Sequence, residues 1–396
     1  MKPVKVLHVI TRLDRGGSAE NTLITVMNLD RGKYTPSLLY GLTLSPDVKY
    51  FEKAKESASE FSCIPDLVRK ISPLHDLKAF YQIYSFIKKG NYQILHTHSS
   101  KAGILGRWAG WLAGVPVIVH TPHGHVFYGY YVPLVSKLFV WAEKISALIT
   151  DRIITLTERG KKEHIRFGVA KPDKFIPIHS GVDIGLIQRT DADKTSQCPK
   201  SHISLRETLS MPAGAIVAAS MGRLSRVKGY EYFIKAGIIL SKKYDDIYFA
   251  IAGEGELREN LEQIIKNAGA AERFKFAGWR EDIGNFLNGA DIFVLSSLNE
   301  GMGKAIVEAM AAGLPVVGTD VGGISEIVVE GETGFIVPPG NAEAIADRIE
   351  RLYLDKNLRS SMGERGRERA ALYDTHSMVR KVESLYEEVL KEKKLQ

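Results

Sequence analysis

The sequence predicts an α/β protein built of two doubly wound domains in series. Its 396 residues fill two domains at roughly 100–200 residues each. Short apolar runs alternate with helix-like stretches, and this rhythm stops after the first half and begins again near Ala215. With 44% apolar and 25% charged residues the composition is that of a globular chain, which excludes a disordered or fibrous one.

In the first half, Val4–Ile10 is an apolar run ending in the polar turn Thr11–Gly17, with a helix expected over Ala19–Leu29. Further strands are expected at Tyr34–Tyr40, Gln93–Thr97, Val115–Thr121 and Arg152–Leu156, and helices at Leu74–Lys89, Gly103–Leu112 and Leu134–Thr150. The second half repeats the scheme with strands at Ala215–Met221, Tyr248–Ala252, Phe274–Phe276, Ile292–Leu295, Pro315–Val317 and Gly334–Val337. Helices are expected between them at Tyr230–Lys242, Leu257–Ala268 and Lys304–Ala312. Residues Gly185–Gly214 are polar and break the rhythm, which marks a linker. Asp191 and Asp193 within it form a DxD, but neither follows a strand, so a solvated loop is expected rather than a metal site.

Two cysteines, Cys63 and Cys198, supply neither a disulfide framework nor a four-thiolate zinc site. Lys2 and the strand that follows Met1 show no leader pattern, so a reducing cytoplasm is expected. Between Val126 and Ile149 the charges are Lys137, Glu143 and Lys144, and Pro133 interrupts the run, so no span of about 18–20 apolar residues exists. The stretch is aromatic (Phe127, Tyr128, Tyr130, Tyr131, Phe139, Trp141), and a core helix is expected over an interfacial one. The last helix, Ser377–Lys394, carries an apolar stripe of Met378, Val382, Leu385, Val389 and Leu390 able to pack on a domain.

The net charge of +7 divides unevenly. Met1–Ser180 holds 25 basic and 14 acidic residues, a net of +11, whereas Gly181–Gln396 holds 28 and 32, a net of −4. A basic half points to an anionic partner: a lipid surface, a phosphorylated ligand or nucleic acid. No recognition helix, zinc motif or interleaved aromatic and basic run supports nucleic acid, and none is expected as a partner.

Open parallel sheets bind ligands beyond the carboxyl ends of their strands, so the loops there hold the candidate residues. Gly16-Gly17 opens a helix after the first strand, where backbone amides can approach an anion. The next loops carry His96, His98 and Lys101, then His120, His123 and His125. With no H-E-x-x-H and no cysteine pair these histidines do not read as a metal site, and His123, between Pro122 and Gly124, is the one expected to face a substrate. In the second half Gly222-Arg223 and Lys228-Gly229 place a guanidinium fork and an ammonium five residues apart, suited to clasping one polyanion. Asn299–Glu308 is the strongest feature. Glu300 precedes the glycine-spaced turn Gly301-Met302-Gly303-Lys304, whose amides open a helix toward an anion, and Glu308 lies about one turn inside it.

These residues, in this order, resemble those of the retaining glycosyltransferases of family 4. The resemblance rests on Gly16-Gly17 with Glu20, the His98 and Lys101 loop, His123, Gly222-Arg223 with Lys228-Gly229, and Ala252-Gly253-Glu254-Gly255. It continues through Gly278-Trp279-Arg280, the Glu300/Glu308 pair, Gly313-Leu314-Pro315 and Gly322-Gly323-Ile324-Ser325-Glu326, and so covers nearly the whole chain. It implies the GT-B fold, two doubly wound Rossmann-like domains facing across a cleft. Residues 1–182 would bind the acceptor and 183–376 the nucleotide sugar, with the helix 377–394 packing back on the first domain.

The resemblance also implies roles. Arg223 and Lys228 would hold the diphosphate, Glu308 the ribose hydroxyls, Glu300 the transferred sugar, and His123 both donor sugar and acceptor. Gly222, Gly253, Glu254 and Gly301–Lys304 would line the donor pocket, Gly278, Trp279 and Arg280 would lie near the base, and Gly16 and Gly17 would close it. Lys304 stands where many relatives carry an uncharged residue, which leaves the donor sugar open. His98, Lys101 and Arg107 are expected on the acceptor side, with a saccharide or lipid-linked acceptor and peripheral contact with an anionic inner leaflet. No cofactor and no metal is expected, because the basic clasp would stabilise a departing diphosphate, UDP being favoured. No carboxylate dyad supports a double displacement, so a front-face mechanism with retention is expected. A sugar-nucleotide 2-epimerase and a non-catalytic nucleotide-sugar-binding protein are the alternatives.

Overall fold

The computed structural model describes residues 2–124, 133–187 and 205–395. The expected aromatic segment 127–131 and most of the polar linker, with Asp191, Asp193 and Cys198, lie outside the described residues. The chain divides into two units, Met1–Gly181 with Thr375–Gln396, and Val182–Asp374.

The first unit holds seven parallel strands: β1 Val4–Ile10, β2 Tyr34–Gly41, β3 Phe61–Ile64, β4 Ile94–His98, β5 Val117–Thr121, β6 Arg152–Thr155 and β7 Phe175–Pro177. Their order, β3-β2-β1-β4-β5-β6-β7, reverses direction between β1 and β4, where Val6 is in register with Ile94 and Ile10 with His98. Strands β4 and β5 are buried along their whole length, and β1 from Val6 onward, because helices cover both faces. On one face the chain's last helix, Thr375–Glu392, buries Met378, Val382, Leu385, Tyr386 and Val389 against Val6, Ile94, Val117 and Val119. Its Tyr386 hydroxyl reaches the His96 Nδ1 at 2.6 Å.

The helix Pro133–Leu148 departs from expectation. Its polar residues Ser136, Glu143 and Ser146 are buried, while Leu134, Leu138, Trp141 and Leu148 are 60–78% exposed. The pattern is inverted because the polar side has specific partners inside. Arg107, wholly buried on the helix Ser100–Ala113, makes a two-pronged ion pair with Glu143 at 2.9 Å to each oxygen, and the Trp108 Nε1 donates to the Ser146 hydroxyl. The stretch is a surface helix, not the expected core helix.

The second unit holds six parallel strands: β8 Ile216–Met221, β9 Ile247–Ala252, β10 Phe274–Gly278, β11 Ile292–Leu295, β12 Val316–Thr319 and β13 Gly334–Val337. Their order is β10-β9-β8-β11-β12-β13, and it reverses between β8 and β11. Phe233, Phe249, Ile251, Phe274 and Phe335 anchor a core shared with the helices Tyr230–Ser241 and Ala342–Leu354. No helix among the described residues is long and apolar enough to cross a membrane.

Removing one partner of a buried pair leaves the other charge uncompensated, at about 3–5 kcal/mol. Arg107→Ala should therefore lower the melting temperature by roughly 6–20 °C for a unit of this size. The double variant Arg107→Met, Glu143→Leu should recover most of that loss. Thermal unfolding followed by circular dichroism checks both, and an unchanged melting point in Arg107→Ala is incompatible with the pair.

Candidate active site

The reversal between β8 and β11 brings two loops of the second unit together. After β8 the chain runs through Gly222 and Arg223 into a short turn, Arg226–Lys228, and after β11 through Ser296–Gly303 into the helix Lys304–Ala311. Backbone bonds lace them, with the Leu298 and Asn299 amides both donating to the Val227 carbonyl, at 2.8 and 3.2 Å. The Lys228 Nζ then meets the Glu300 Oε2 at 2.5 Å, and the Ser297 hydroxyl donates to the same oxygen at 3.2 Å. Arg223 is exposed on the loop rim.

The neighbouring loops close in tightly. Gly253, after β9, has φ 134°, and a Cβ there would lie 1.9 Å from the Gly222 carbonyl oxygen, so only glycine fits. The Gly323 amide donates to the Gly301 carbonyl at 3.0 Å, joining the β12 loop to the helix-opening turn. Gly303, at φ 87°, precedes the helix, whose positive end favours an anion. Lys304 adds a further positive charge there and lies 3.6 Å from Glu308, which is nearly buried. Met302 packs into the core, and only its backbone is left to face a ligand. Glu254 and Trp279 are exposed beyond β9 and β10, while Arg280 pairs with Asp282.

In the first unit, Gly16 and Gly17 open the helix Gly17–Asn28 after β1. A Cβ on Gly17 would meet no other protein atom within 4 Å, so internal packing does not demand this glycine, and its surface is open to approach. The loops after β4 and β5 each carry a left-handed non-glycine residue, Ser99 at φ 61° and His123 at φ 57°. Such backbone costs of order 1–3 kcal/mol and persists where surroundings enforce it. Here the Ser99 amide donates to the Thr121 carbonyl and its hydroxyl bonds that of Thr11.

Residues 203–369 match the family described as Glycosyl transferases group 1, and residues 44–186 that described as Glycosyltransferase Family 4. An Escherichia coli protein named UDP-Gal:alpha-D-GlcNAc-diphosphoundecaprenol alpha-1,3-galactosyltransferase is 35% identical over 298 residues, 74% of this chain and 75% of the relative. The chain belongs to glycosyltransferase family 4. Another similar protein, named capsular polysaccharide biosynthesis glycosyltransferase CapM, from Staphylococcus aureus, is 27% identical over 86% of this chain and 88% of its own. The crystal structure of Anabaena HepE in complex with UDP superposes with a TM-score of 0.79 at 20% identity, over 97% of this chain and all of that one. The fold is therefore GT-B, with two Rossmann-like units, and the protein is an enzyme that transfers a sugar.

Three site assignments of this glycosyltransferase need correction. Arg107 is wholly buried and spent on Glu143, so it is no acceptor contact. His98 is 1% exposed with both ring nitrogens committed, Nε2 to the His8 Nδ1 and Nδ1 to the His123 Nε2, each at 3.0 Å. Lys101 turns away to the Asp76 carboxylate, at 2.5 Å, and to the Lys70 carbonyl. Residue type and loop position had suggested a basic acceptor surface, and only tertiary partners reveal that these side chains are used internally. His8, in the middle of β1, was missed altogether because a lone histidine in an apolar strand carries no motif.

His8, His96 and His98 bring nitrogens within 4.8 Å of one another, a spacing a metal could use. The nitrogens between them already have partners, however: His96 bonds Tyr386 and Thr121, and His8 bonds His98. Burial holds His8 and His123 neutral, each pushed down to about 3, and pushes His96, His98 and His120 well below the usual histidine range. Near His120 the Arg107 guanidinium adds to that depression, while the Glu143 carboxylate stands 4.0 Å from its Nε2. Each such histidine takes up a proton only on unfolding once the pH falls below about 6.5. Its stabilising contribution is thus complete above that pH and fades by about 1.4 kcal/mol per unit below it. The urea midpoint should consequently fall steeply between pH 7.5 and pH 5.5, and a midpoint unchanged over that interval would show that the imidazoles are not held neutral.

Proposed function

We propose that this enzyme transfers a sugar from a UDP-sugar, with retention at the anomeric carbon and without a metal, to a hydroxyl of a lipid-linked saccharide. The observation that carries the reading is the Lys228–Glu300 pair at 2.5 Å, set at the strand reversal beside the amino end of the Lys304–Ala311 helix. A cation held by a carboxylate next to a helix amino end is poised to meet a diphosphate without reorganising. UDP is supported by the relative named for UDP-Gal and by the HepE complexes with UDP and with UDP-glucose. The lipid-linked acceptor is supported by the diphosphoundecaprenol in that relative's name.

In this reading the bond from the anomeric carbon to the leaving oxygen breaks, and UDP departs with the electron pair. The acceptor oxygen forms its bond on the same face, and its proton passes to the departing phosphate. Arg223 and Lys228 offset the charge that grows on the diphosphate, and the amides of Gly301–Lys304 hold its sugar and phosphate side. Glu300 orients the sugar and Glu308 the ribose, while Glu254, Gly278, Trp279 and Arg280 lie toward the base. Gly16 and Gly17 offer the first unit's open anion-approach point. Arg223→Ala or Lys228→Ala should lower kcat/KM at least about a hundredfold, as expected for loss of a charge-stabilising donor. Release of UDP from a panel of UDP-sugars measures this, and near-wild-type rates in both variants would sink the assignment.

The acceptor's lipid fits the inverted helix of the first unit. Its outward side carries Leu134, Leu138, Trp141 and Leu148 together with Lys137 and Lys144, and no acidic residue. An apolar stripe with basic flanks and an interfacial tryptophan suits an anionic leaflet. Vesicles containing phosphatidylglycerol should sediment the enzyme at low salt and release much of it at high salt. Leu138→Ser with Trp141→Ser should abolish sedimentation while leaving UDP release from the donor, with a soluble acceptor, unchanged. Equal binding to neutral vesicles, or unimpaired binding by the double variant, would overturn the proposal.

A further inference from the structure

The first unit contains a row of imidazoles in which only His123 has been given a substrate contact and no tautomer has been assigned. His8 lies in β1, His98 at the end of β4 and His123 just beyond β5, so three neighbouring positions each deliver one ring to the same row. The rings of His8 and His98 stack at 5.3 Å and 12°, those of His98 and His123 at 5.2 Å and 26°. Two nitrogen-to-nitrogen contacts of 3.0 Å join them end to end. The row finishes in two shielded nitrogens with no hydrogen-bond partner among the described residues, the His8 Nε2 and the His123 Nδ1.

Each neutral imidazole has one N–H, so proton positions along the row depend on one another. His98 must donate through one nitrogen and accept through the other. In one arrangement His8 donates from Nδ1 to His98, His98 donates from Nδ1 to His123, and the proton of His123 is left on its Nδ1. In the reverse arrangement every proton sits on Nε2, which strands an N–H of His8 in the core. Either arrangement leaves one N–H without a partner, on the His123 Nδ1 in the first and on the His8 Nε2 in the second. His8 is wholly buried in β1, whereas His123 is half-buried on a loop at the carboxyl edge of the sheet, where a ligand can meet its N–H, so the first arrangement is favoured.

We propose that His8 and His98 form an imidazole relay that fixes His123 in the Nδ1–H tautomer, making its free nitrogen a hydrogen-bond donor for a substrate oxygen. His98 and His8 are then positioning residues and His123 the group that meets the ligand, a sugar hydroxyl or a phosphate oxygen. The assignment of that ligand rests on the transferase reading above, whereas the tautomer does not. The left-handed backbone at His123 supports it, because a strained turn aims the ring along the row. Substrates that present an acceptor oxygen there gain a bond, and analogues lacking that oxygen leave the N–H unpaired, which gives the residue a part in donor or acceptor choice.

Long-range proton–nitrogen NMR of the full chain labelled in histidine reads the tautomers without any substrate. The expected result is protonated Nδ1 and bare Nε2 at His8, His98 and His123 alike. In His98→Phe the tautomer of His123 should become mixed, and kcat should fall about tenfold or more with donor KM within about threefold, the cost of one misplaced hydrogen bond. His98→Asn, whose amide occupies the place of Nδ1 and can donate to His123, should restore most of both. A protonated Nε2 on His123 in the wild type overturns the relay. So does a His98→Phe variant that melts like the wild type and keeps the tautomer, or stoichiometric zinc uptake that shifts the His8 and His98 resonances. If the NMR pattern holds while no UDP-sugar is turned over, the relay stands and the donor reading fails.

Discussion

Everything chemical in this protein follows from one constraint of parallel sheets: where strand order reverses, adjacent loops leave in opposite directions and open a gap at the carboxyl ends. In the second unit the gap lies between β8 and β11, and it is spanned by the Lys228–Glu300 pair together with the Leu298 and Asn299 amides that donate to the Val227 carbonyl. Loops can approach that closely only where side chains vanish, and Gly229, where a Cβ would lie 2.2 Å from the Ser296 carbonyl oxygen, is the visible consequence. In the first unit the gap lies between β1 and β4, and the open surface of Gly17 and the His8–His98 contact both belong to it. Both units thus use the same topological accident, one to gather charge and the other to gather neutral imidazoles.

The two gaps are solved electrostatically in opposite ways. A diphosphate site needs ionised groups, and the second unit keeps Arg223, Lys228 and Glu300 partly exposed, where charge is cheap. The first unit instead buries the titratable side chains near its gap: five histidines are held neutral, and Arg107 keeps its charge because Glu143 meets it with two oxygens. That pair has a reach beyond its own site. By drawing Glu143 inward it forces the opposite side of the helix Pro133–Leu148 into solvent, and with it Leu134, Leu138 and Trp141. The apolar surface proposed to meet lipid is in this sense the outer face of a buried ion pair.

Legibility in the sequence followed the range of the interaction. Apolar strands with helices on both faces announce themselves, and Val4–Ile10 and Ile292–Leu295 were read to the residue. Strand β5 starts at Val117 rather than Val115 because Pro116 has no N–H to donate. The edge strands Phe61–Ile64 and Phe175–Pro177 were not foreseen, being short and only partly buried. Site loops with a local signature, such as Glu300–Lys304, were legible because glycines and a helix start lie within a few residues. Arg107 was not, since its partner is 36 residues away and nothing in its own neighbourhood marks it as buried.

The same distinction bears on how the family's motifs are to be understood in this chain. A histidine at a strand end was read as a contact, yet His98 is buried with both ring nitrogens committed inside the protein, and its value lies in what it does to His123. Such a residue is invisible to contact-based assignment because substitution leaves every ligand distance unchanged while altering which nitrogen carries the proton. Neutrality is what permits this. A charged imidazole would donate from both nitrogens and break the dependence along the row, so the burial that depresses these histidines is a requirement of the relay and not a by-product of packing. Burial that deep demands a sheet covered on both faces, and the covering helix is the chain's last, whose Tyr386 closes off His96 beside the row. The return of the carboxyl terminus to the first unit is therefore tied to the protonation state of a residue more than 250 positions earlier in the chain.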